Sequence, residues 1–129
     1  MADWNDLCAY VRSNYKITSE KEGFINLLFE TDDLRSQRVF ITKSGSIQDS
    51  EWADIVTVVG KTSDLDPAQA LVRNWNMKIG FFAHLDDSLC FVHRFPLLDL
   101  QSSELDAPLR LVARLGDQLE KEFTGKDLH

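Results

Sequence analysis

Cysteine and histidine are among the side chains of this sequence that could act as nucleophiles or bind a metal ion. Cys90 and His93 lie three residues apart in the apolar run CFVHRF, which ends at Pro96, and His84 precedes them. A thiolate and an imidazole can hold zinc together or form a catalytic pair. These residues are therefore the first candidates for a chemical site.

The predicted strands separate Cys90 from His93 and bring the two histidines to one face. Side chains alternate along a strand, so residues three apart point to opposite sides. His84 and His93 would share a face of a hairpin, but two imidazoles are too few ligands for a structural zinc site, and no CxxC or HExxH motif is present. We therefore predict no metal and no cofactor.

Cys8 and the tripeptide GKT are the remaining chemical candidates. Cys8 lies on the apolar stripe of a predicted helix with Leu7 and Val11, where burial disfavours the thiolate. The sequence GKTSD begins at Gly60 and resembles the end of a phosphate-binding loop, but Ile55 occupies the place of its first glycine. No GxSxG motif is present. We predict no catalytic residue and no enzymatic activity.

Composition is that of an ordinary globular domain. The chain has 129 residues, of which 43% are hydrophobic and 27% charged, enough to build one core. A net charge of -7 argues against binding to nucleic acid or to anionic lipid. The start lacks a signal-peptide pattern, no stretch is apolar enough to cross a bilayer, and two cysteines far apart indicate free thiols. We predict one cytoplasmic domain over residues 1–129, with no membrane partner.

The spacing of apolar residues predicts three helices and five strands. Asp3 and Asp66 are predicted to cap the first two helices. Ser102 or Ser103 is predicted to begin the last helix and Gly125 to end it, and because Pro108 would bend a helix, its regular part is expected to begin near Ala107. The predicted helices cover about residues 4–15, 67–76 and 103–124, and the predicted strands cover residues 23–31, 38–43, 51–60, 77–85 and 89–95. Short connections favour antiparallel pairing, so we predict an α+β domain with an antiparallel five-stranded sheet and three helices, in the order α-βββ-α-ββ-α.

Several predicted strands are apolar on both faces, which a sheet with one solvated face should not be. On the second face, the apolar residues are Phe24 and Leu28 in the first strand, Trp52 and Val56 in the third, and Phe82 in the fourth. The second face is therefore expected to be covered by the middle helix, a second subunit or a partner chain. Large aromatic groups anchor interfaces. The candidate partner or dimer surface consists of Trp52, Trp75, Phe82, Phe91 and His93.

The order of elements, and the passage from RFPLLDL into a long helix ending in ARLGDQLEKEF, resembles the YbjN family and the wider group with a type III secretion chaperone-like fold. In that family the last strand similarly runs through an arginine and a proline-bounded turn into a closing helix with acidic residues near its end. The matching residues here are Arg94, Pro96, Asp117 and Glu120. Gly116 stands where the family pattern has a small residue such as alanine.

This resemblance implies a small acidic dimer in the cytoplasm that binds protein and does not transform a substrate. Secretion chaperones hold an unfolded segment of a client, and YbjN-like proteins are described as regulators. We therefore expect a non-enzymatic protein-binding domain, chaperone-like or regulatory, that forms a homodimer through part of the sheet and the middle helix. The alternative is a small ligand-binding domain or enzyme with a pocket on the His84/His93 face of the sheet.

Overall fold

Three helices and a six-stranded sheet are found in a computed structural model that describes residue 1 and residues 3–31 and 35–124. The helices are α1 (Trp4–Asn14), α2 (Pro67–Asn76) and α3 (Ser102–Thr124). The strands are β1 (Ile17–Lys21), β2 (Phe24–Glu30), β3 (Ser36–Ile47), β4 (Ser50–Lys61), β5 (Phe81–Leu85) and β6 (Ser88–Pro96). α3 is helical from Ser102 and contains Pro108, so the expected start near Ala107 is wrong. Gly125, predicted to end this helix, lies outside the described residues.

The sheet is antiparallel throughout, with the strand order β1-β2-β3-β4-β6-β5. The inward residues of all three helices belong to one hydrophobic cluster on one face of the sheet. We call this face the core face and the opposite face the outer face. The α+β class, the antiparallel sheet and the three helices are confirmed by the structure.

The helix caps agree with the sequence patterns. The Asp3 carboxylate accepts a hydrogen bond from the backbone of Asp6 at the start of α1. The Asp66 carboxylate accepts hydrogen bonds from the backbone of Ala68 and Gln69 at the start of α2, where Pro67 holds the first helical position. Both helices therefore begin where a side chain satisfies their unpaired amide groups.

The prediction of five strands is wrong, because β1 precedes the first predicted strand. Its sequence, ITSEK, is exposed at every position except Ile17. A strand at the edge of a sheet with little to bury lacks the alternation by which strands are recognised. Charged residues such as Glu20 and Lys21 also discourage the pairing of a second chain at this edge.

The predicted strand over residues 77–85 is too long, and its faces are exchanged. Gly80 has a φ of 75°, and β5 begins only after it, at Phe81. A Cβ atom on Gly80 would lie 2.5 Å from the Phe91 ring, so the turn also needs glycine for space. The turn resets the alternation, so that Phe82 lies on the core face and Phe81 on the outer face.

Candidate protein-binding surfaces

The outer face of the sheet has an apolar centre that contains no helical residue. Val56, Cys90 and Val92 form a hydrophobic cluster with flanking side chains that all come from strands of the described chain. Phe24 extends this surface by stacking on Phe40, with ring centroids 5.2 Å apart. We call the whole surface the outer patch. Its members are Phe24, Phe40, Val56, Val58, Phe81, Ala83, Cys90 and Val92.

Cationic side chains lie on and beside the outer patch. The Arg94 guanidinium lies 5.6 Å from the centroid of the Phe81 ring, and the Lys21 ammonium lies 5.8 Å from that of Phe24. Arg94 also donates two hydrogen bonds to Asp54, at 2.7 and 3.1 Å. This ion pair orients Arg94 across the ring, because a bidentate contact fixes the plane of a guanidinium group.

Four of the five residues of the predicted partner surface lie in three different environments. Trp52 is half-buried on the outer face opposite Pro96, and its buried indole nitrogen has no hydrogen-bond partner within the described chain. Trp75 is 88% exposed on α2. Phe82 and Phe91 are only 5% and 0% exposed, so the structure corrects the prediction that these two belong to a binding surface. They pack edge to face beneath the helices, as core residues.

The apolar stripe of α2 points away from the rest of the protein. Leu71 is 71% exposed and Val72 is 63% exposed, and only Ala70 is buried among the residues of this helix. An amphipathic helix on a globular protein ordinarily turns its apolar stripe to the core. This helix does the reverse, so its apolar stripe is exposed to solvent in the described chain.

Polar and cationic side chains hold α2 to the sheet and to α3. Arg73 donates hydrogen bonds to Glu122 at 2.5 and 3.0 Å. Its guanidinium also lies 5.1 Å from the centroid of the Phe82 ring and 5.3 Å from that of Phe123. On the same side of the helix, the Asn74 amide contacts the backbone of Phe82. The apolar stripe is therefore not needed to attach α2.

The two candidate histidines share the core face, as predicted, but do not meet. Leu89 pairs with His84, and His93 lies four residues further along β6, which corresponds to about 13 Å. His93 is half-buried and stacks on Phe95. Burial lowers the pKa of His93, an effect that Asp54 opposes. A single pocket for both histidines is therefore not formed.

His93 does border a cavity of its own, with a volume of about 430 Å³. The cavity lies between the end of β6 and the start of α3. Asp99, Glu104, Leu105 and Pro108 are among its lining residues. The Glu104 carboxylate accepts a hydrogen bond from the backbone amide of Gln101 at 2.9 Å. His84 is not among the lining residues. This cavity could hold a small molecule with apolar and cationic groups.

Neither thiol is in an environment that favours nucleophilic catalysis. Cys8 and Cys90 are free and buried, and burial raises the pKa of both thiols, to about 11 for Cys90. Cys90 belongs to the outer face, since it pairs with Val58, whereas His93 pairs with Ile55 of the core face. The prediction that Cys90 and His93 point to opposite faces is confirmed.

The GKT tripeptide does not form a phosphate-binding loop. Lys61 ends β4 and Thr62 begins a short 3-10 turn. The backbone amide of Lys61 donates to the carboxylate of Asp64 at 2.7 Å. An anion-binding loop requires free amide groups. The amide of Lys61 is not free, because it already donates to the Asp64 carboxylate.

A polar cluster that the sequence did not predict lies between α3 and the sheet. Arg35 Nε donates to Asp117 at 2.8 Å, and the Gln37 side chain donates to the Thr57 hydroxyl at 2.7 Å. A Cβ atom on Gly116 would lie 2.5 Å from the Thr57 methyl group, so α3 can approach the sheet this closely only at glycine. The sequence feature that could have predicted this cluster is the position of Asp117, next to Gly116 on the apolar side of α3.

The acidic residues singled out by the family resemblance, Asp117 and Glu120, are both buried. They face the sheet and are not part of an exposed binding surface. Together with Gly116, they mark the segment of α3 that approaches the sheet most closely. These residues help to position α3 against the sheet.

Comparison with known proteins gives no family assignment. The chain matches no known protein-family model, and no curated protein is significantly similar to it in sequence. Among the described residues, no group of three or more histidine, cysteine, aspartate or glutamate side chains is placed to hold a metal ion. None of the helices in the described part of the chain has the length and apolar character needed to cross a membrane.

Proposed function

We propose that this protein is a non-enzymatic, cytoplasmic protein-binding domain, chaperone-like or regulatory, that acts as a homodimer and holds a segment of a partner protein. The observation that carries this proposal is the outer patch, which no helix of the described chain covers. Its centre at Val56, Cys90 and Val92 is at most 3% exposed, and the half-buried side chains around that centre, such as Phe40 and Phe81, form its accessible surface. Apolar surfaces of this kind on soluble domains are sites of protein contact.

The charges around the outer patch favour a particular chemistry of partner. Lys21 lies over the Phe24 ring, and Arg38, paired with Leu28 in the sheet, adds an exposed cation to the same face. The charge of Arg94, over the Phe81 ring, is already met by Asp54. These cations stand out on a chain whose net charge is -7. The partner segment is therefore expected to combine apolar side chains with carboxylates, because opposite charges at the rim align the two surfaces.

The likeness to the YbjN family and to secretion chaperones belongs to the same proposal. Its supports are the antiparallel sheet, the closing helix after Pro96, and the small residue at position 116 where α3 meets Thr57. A fold by itself does not define an activity. The proposed function therefore depends on the outer patch more than on the family likeness.

Affinity capture from the source cells tests the proposal when wild-type protein is compared with a variant of the outer patch. Phe40→Glu places a charge beside Phe24 and Val56, and we expect it to abolish capture of the specific partner. Ile47→Glu is the matched control, because Ile47 is 61% exposed at the tip of the β3–β4 hairpin. If mass spectrometry recovers the same partners with Phe40→Glu and wild type, the outer patch is not the binding surface.

A second candidate function is the binding of a small ligand in the cavity beside His93. The observation that favours it is that the half-buried His93 lines one cavity together with Asp99 and Glu104. A ligand that binds there raises the melting temperature of wild type, and we expect His93→Ala to remove this shift. His84→Ala, remote from the cavity, should retain it. If the double alanine variant shows every shift seen with wild type, this second function is excluded.

A further inference from the structure

A cavity on the helical side of the sheet is lined by three cationic side chains. It lies between the end of β2 and α3 and has a volume of about 410 Å³. Arg110, Arg114 and Lys121 line it, and each of them is exposed. Their spacing places them in one row along α3, over about 16 Å from the first to the last. Phe29 and Ala113 contribute apolar groups to the lining.

No ion pair connects these three cations to a carboxylate of the described chain. Other arginines of the protein do contact a carboxylate, namely Arg12, Arg35, Arg73 and Arg94. Acidic partners are plentiful on a chain with a net charge of -7. Cations that line one cavity without such a partner are therefore available to an anionic ligand.

Two carboxylates beside the row are engaged by other side chains. Asp106, one turn before Arg110, accepts hydrogen bonds from two tyrosine hydroxyl groups. Asp117, a lining residue of the cavity, accepts a hydrogen bond from Arg35 at 2.8 Å. Glu30 is the remaining acidic lining residue, and it is exposed. The described lining therefore carries more positive than negative charge.

Thr31 adds an unsatisfied donor to the β2 side of the cavity. Its hydroxyl group is buried and has no hydrogen-bond partner within the described chain. A phosphate oxygen is an acceptor that this hydroxyl can use. The Thr31 amide donates to the Arg35 carbonyl at 2.9 Å, which fixes the backbone at this end of β2. Residues 32–34 lie outside the described residues and are not assigned to the site.

We propose that this cavity binds a small molecule that carries a diphosphate group, such as a nucleoside diphosphate. Arg110 and Arg114, one helical turn apart, each present a planar guanidinium group that binds two phosphate oxygens at once, and Lys121 adds a third charge. One phosphate group carries about 1.5 to 2 negative charges, so three cations match two linked phosphates better than one. The volume lies in the range of about 300–1,000 Å³ that is typical of pockets for organic ligands, which leaves room for an organic part against Phe29 and Ala113.

Titration calorimetry and thermal melting of the full chain test this inference, with ADP, pyrophosphate and adenosine as probes. We expect ADP and pyrophosphate to bind and to raise the melting temperature, and adenosine, which has no phosphate, to do neither. Arg114→Gln should weaken ADP binding roughly ten-fold or more, the effect of one lost charge-assisted hydrogen bond. Arg38→Gln is the matched control, because Arg38 is an exposed arginine on the outer face. It should bind ADP as wild type does, and circular dichroism establishes that each variant is folded.

A substitution of opposite sign makes the test sharper. Glu30→Gln removes the remaining acidic lining residue and should tighten ADP binding, because it removes a repulsive charge. Tighter binding of ADP than of pyrophosphate identifies an organic ligand, and equal binding identifies inorganic diphosphate.

Three outcomes overturn the inference. The first is the absence of binding at about 10 mM ADP and pyrophosphate, well above a millimolar dissociation constant. The second is an equal affinity of Arg114→Gln and Arg38→Gln for ADP, and the third is adenosine binding as tightly as ADP. The cavity lies on the opposite side of the sheet from the outer patch, so none of these outcomes bears on the proposed protein binding.

Discussion

The Asn74 side chain of α2 bonds to both backbone groups of Phe82 on the edge strand β5. The Phe82 amide donates to Asn74 Oδ1 at 2.6 Å, and Asn74 Nδ2 donates to the Phe82 carbonyl at 3.4 Å. Strand β5 lies at the edge of the sheet, with β6 as its neighbour on one side, and these bonds tie Phe82 to α2. A helix side chain therefore occupies a position where another strand could pair. The β1 edge carries charged residues instead.

Replacing Asn74 by alanine should destabilise the protein and expose the β5 edge. We expect a loss of about 1–2 kcal/mol in the free energy of unfolding, because two backbone groups lose their partner. An unprotected edge strand also promotes pairing between chains. Urea unfolding measures the first effect and light scattering the second. Asn76→Ala is the control, since Asn76 is exposed and bonds only within α2; equal effects of the two substitutions would contradict the edge-capping role.

Gly116→Ala should destabilise the protein although alanine is the better helix former. The added methyl group would meet Thr57 Cγ2 at 2.5 Å, and we expect a net cost of about 1–3 kcal/mol from overpacking. Thr57→Ser removes that methyl group and keeps the hydroxyl that accepts from Gln37 and donates to the Arg38 carbonyl. In urea unfolding, Gly116→Ala should therefore cost less in the Thr57→Ser background. A cost that is the same in both backgrounds would show that the close approach is not the cause.

His93 should make stability depend on pH in the weakly acidic range. Burial lowers the pKa of His93 in the folded protein below its ordinary value of about 6.5, so the unfolded chain binds the proton more readily. Its contribution to stability is fully present above the unfolded pKa and is lost as pH falls through the folded pKa. The difference in unfolding free energy between wild type and His93→Gln should therefore shrink between about pH 7 and pH 5. His84→Gln is the control, because His84 is exposed. If the unfolding free energies of both variants change with pH in the same way relative to wild type, burial of His93 is not the cause.

The sequence predicted those elements whose burial produces a regular pattern. The helix caps at Asp3 and Asp66 and the opposite faces of Cys90 and His93 follow from local chemistry and from the alternation along β6. β1 has almost nothing to bury, so its sequence lacks this pattern. The start of β5 depends on Gly80, whose turn is fixed by the distant Phe91 ring. No local window of sequence contains that contact.

The predicted binding surface stays a prediction, and two of its residues, Phe82 and Phe91, are buried in the core. An apolar stripe on α2 is readable from the spacing of Leu71, Val72 and Trp75, but the direction it faces depends on what holds the opposite side of the helix. Arg73 and Asn74 hold that side through Glu122, two aromatic rings and a backbone edge. These are contacts between residues far apart in the sequence. A periodic pattern therefore identifies an apolar stripe without showing whether it faces the core or solvent.

The alkylation rate of Cys90 should measure how well neighbouring side chains shield the centre of the outer patch. Its side chain is 1% exposed and burial raises its pKa to about 11, so the thiolate is scarce at neutral pH. In the Cys8→Ser background, we expect native protein to react with iodoacetamide at pH 8 far more slowly than protein unfolded in urea. Phe40→Ala, which removes a ring that packs against the cluster around Cys90, should increase the native rate. Ile47→Ala should leave it unchanged, and a rate insensitive to Phe40 would mean that other side chains shield the thiol.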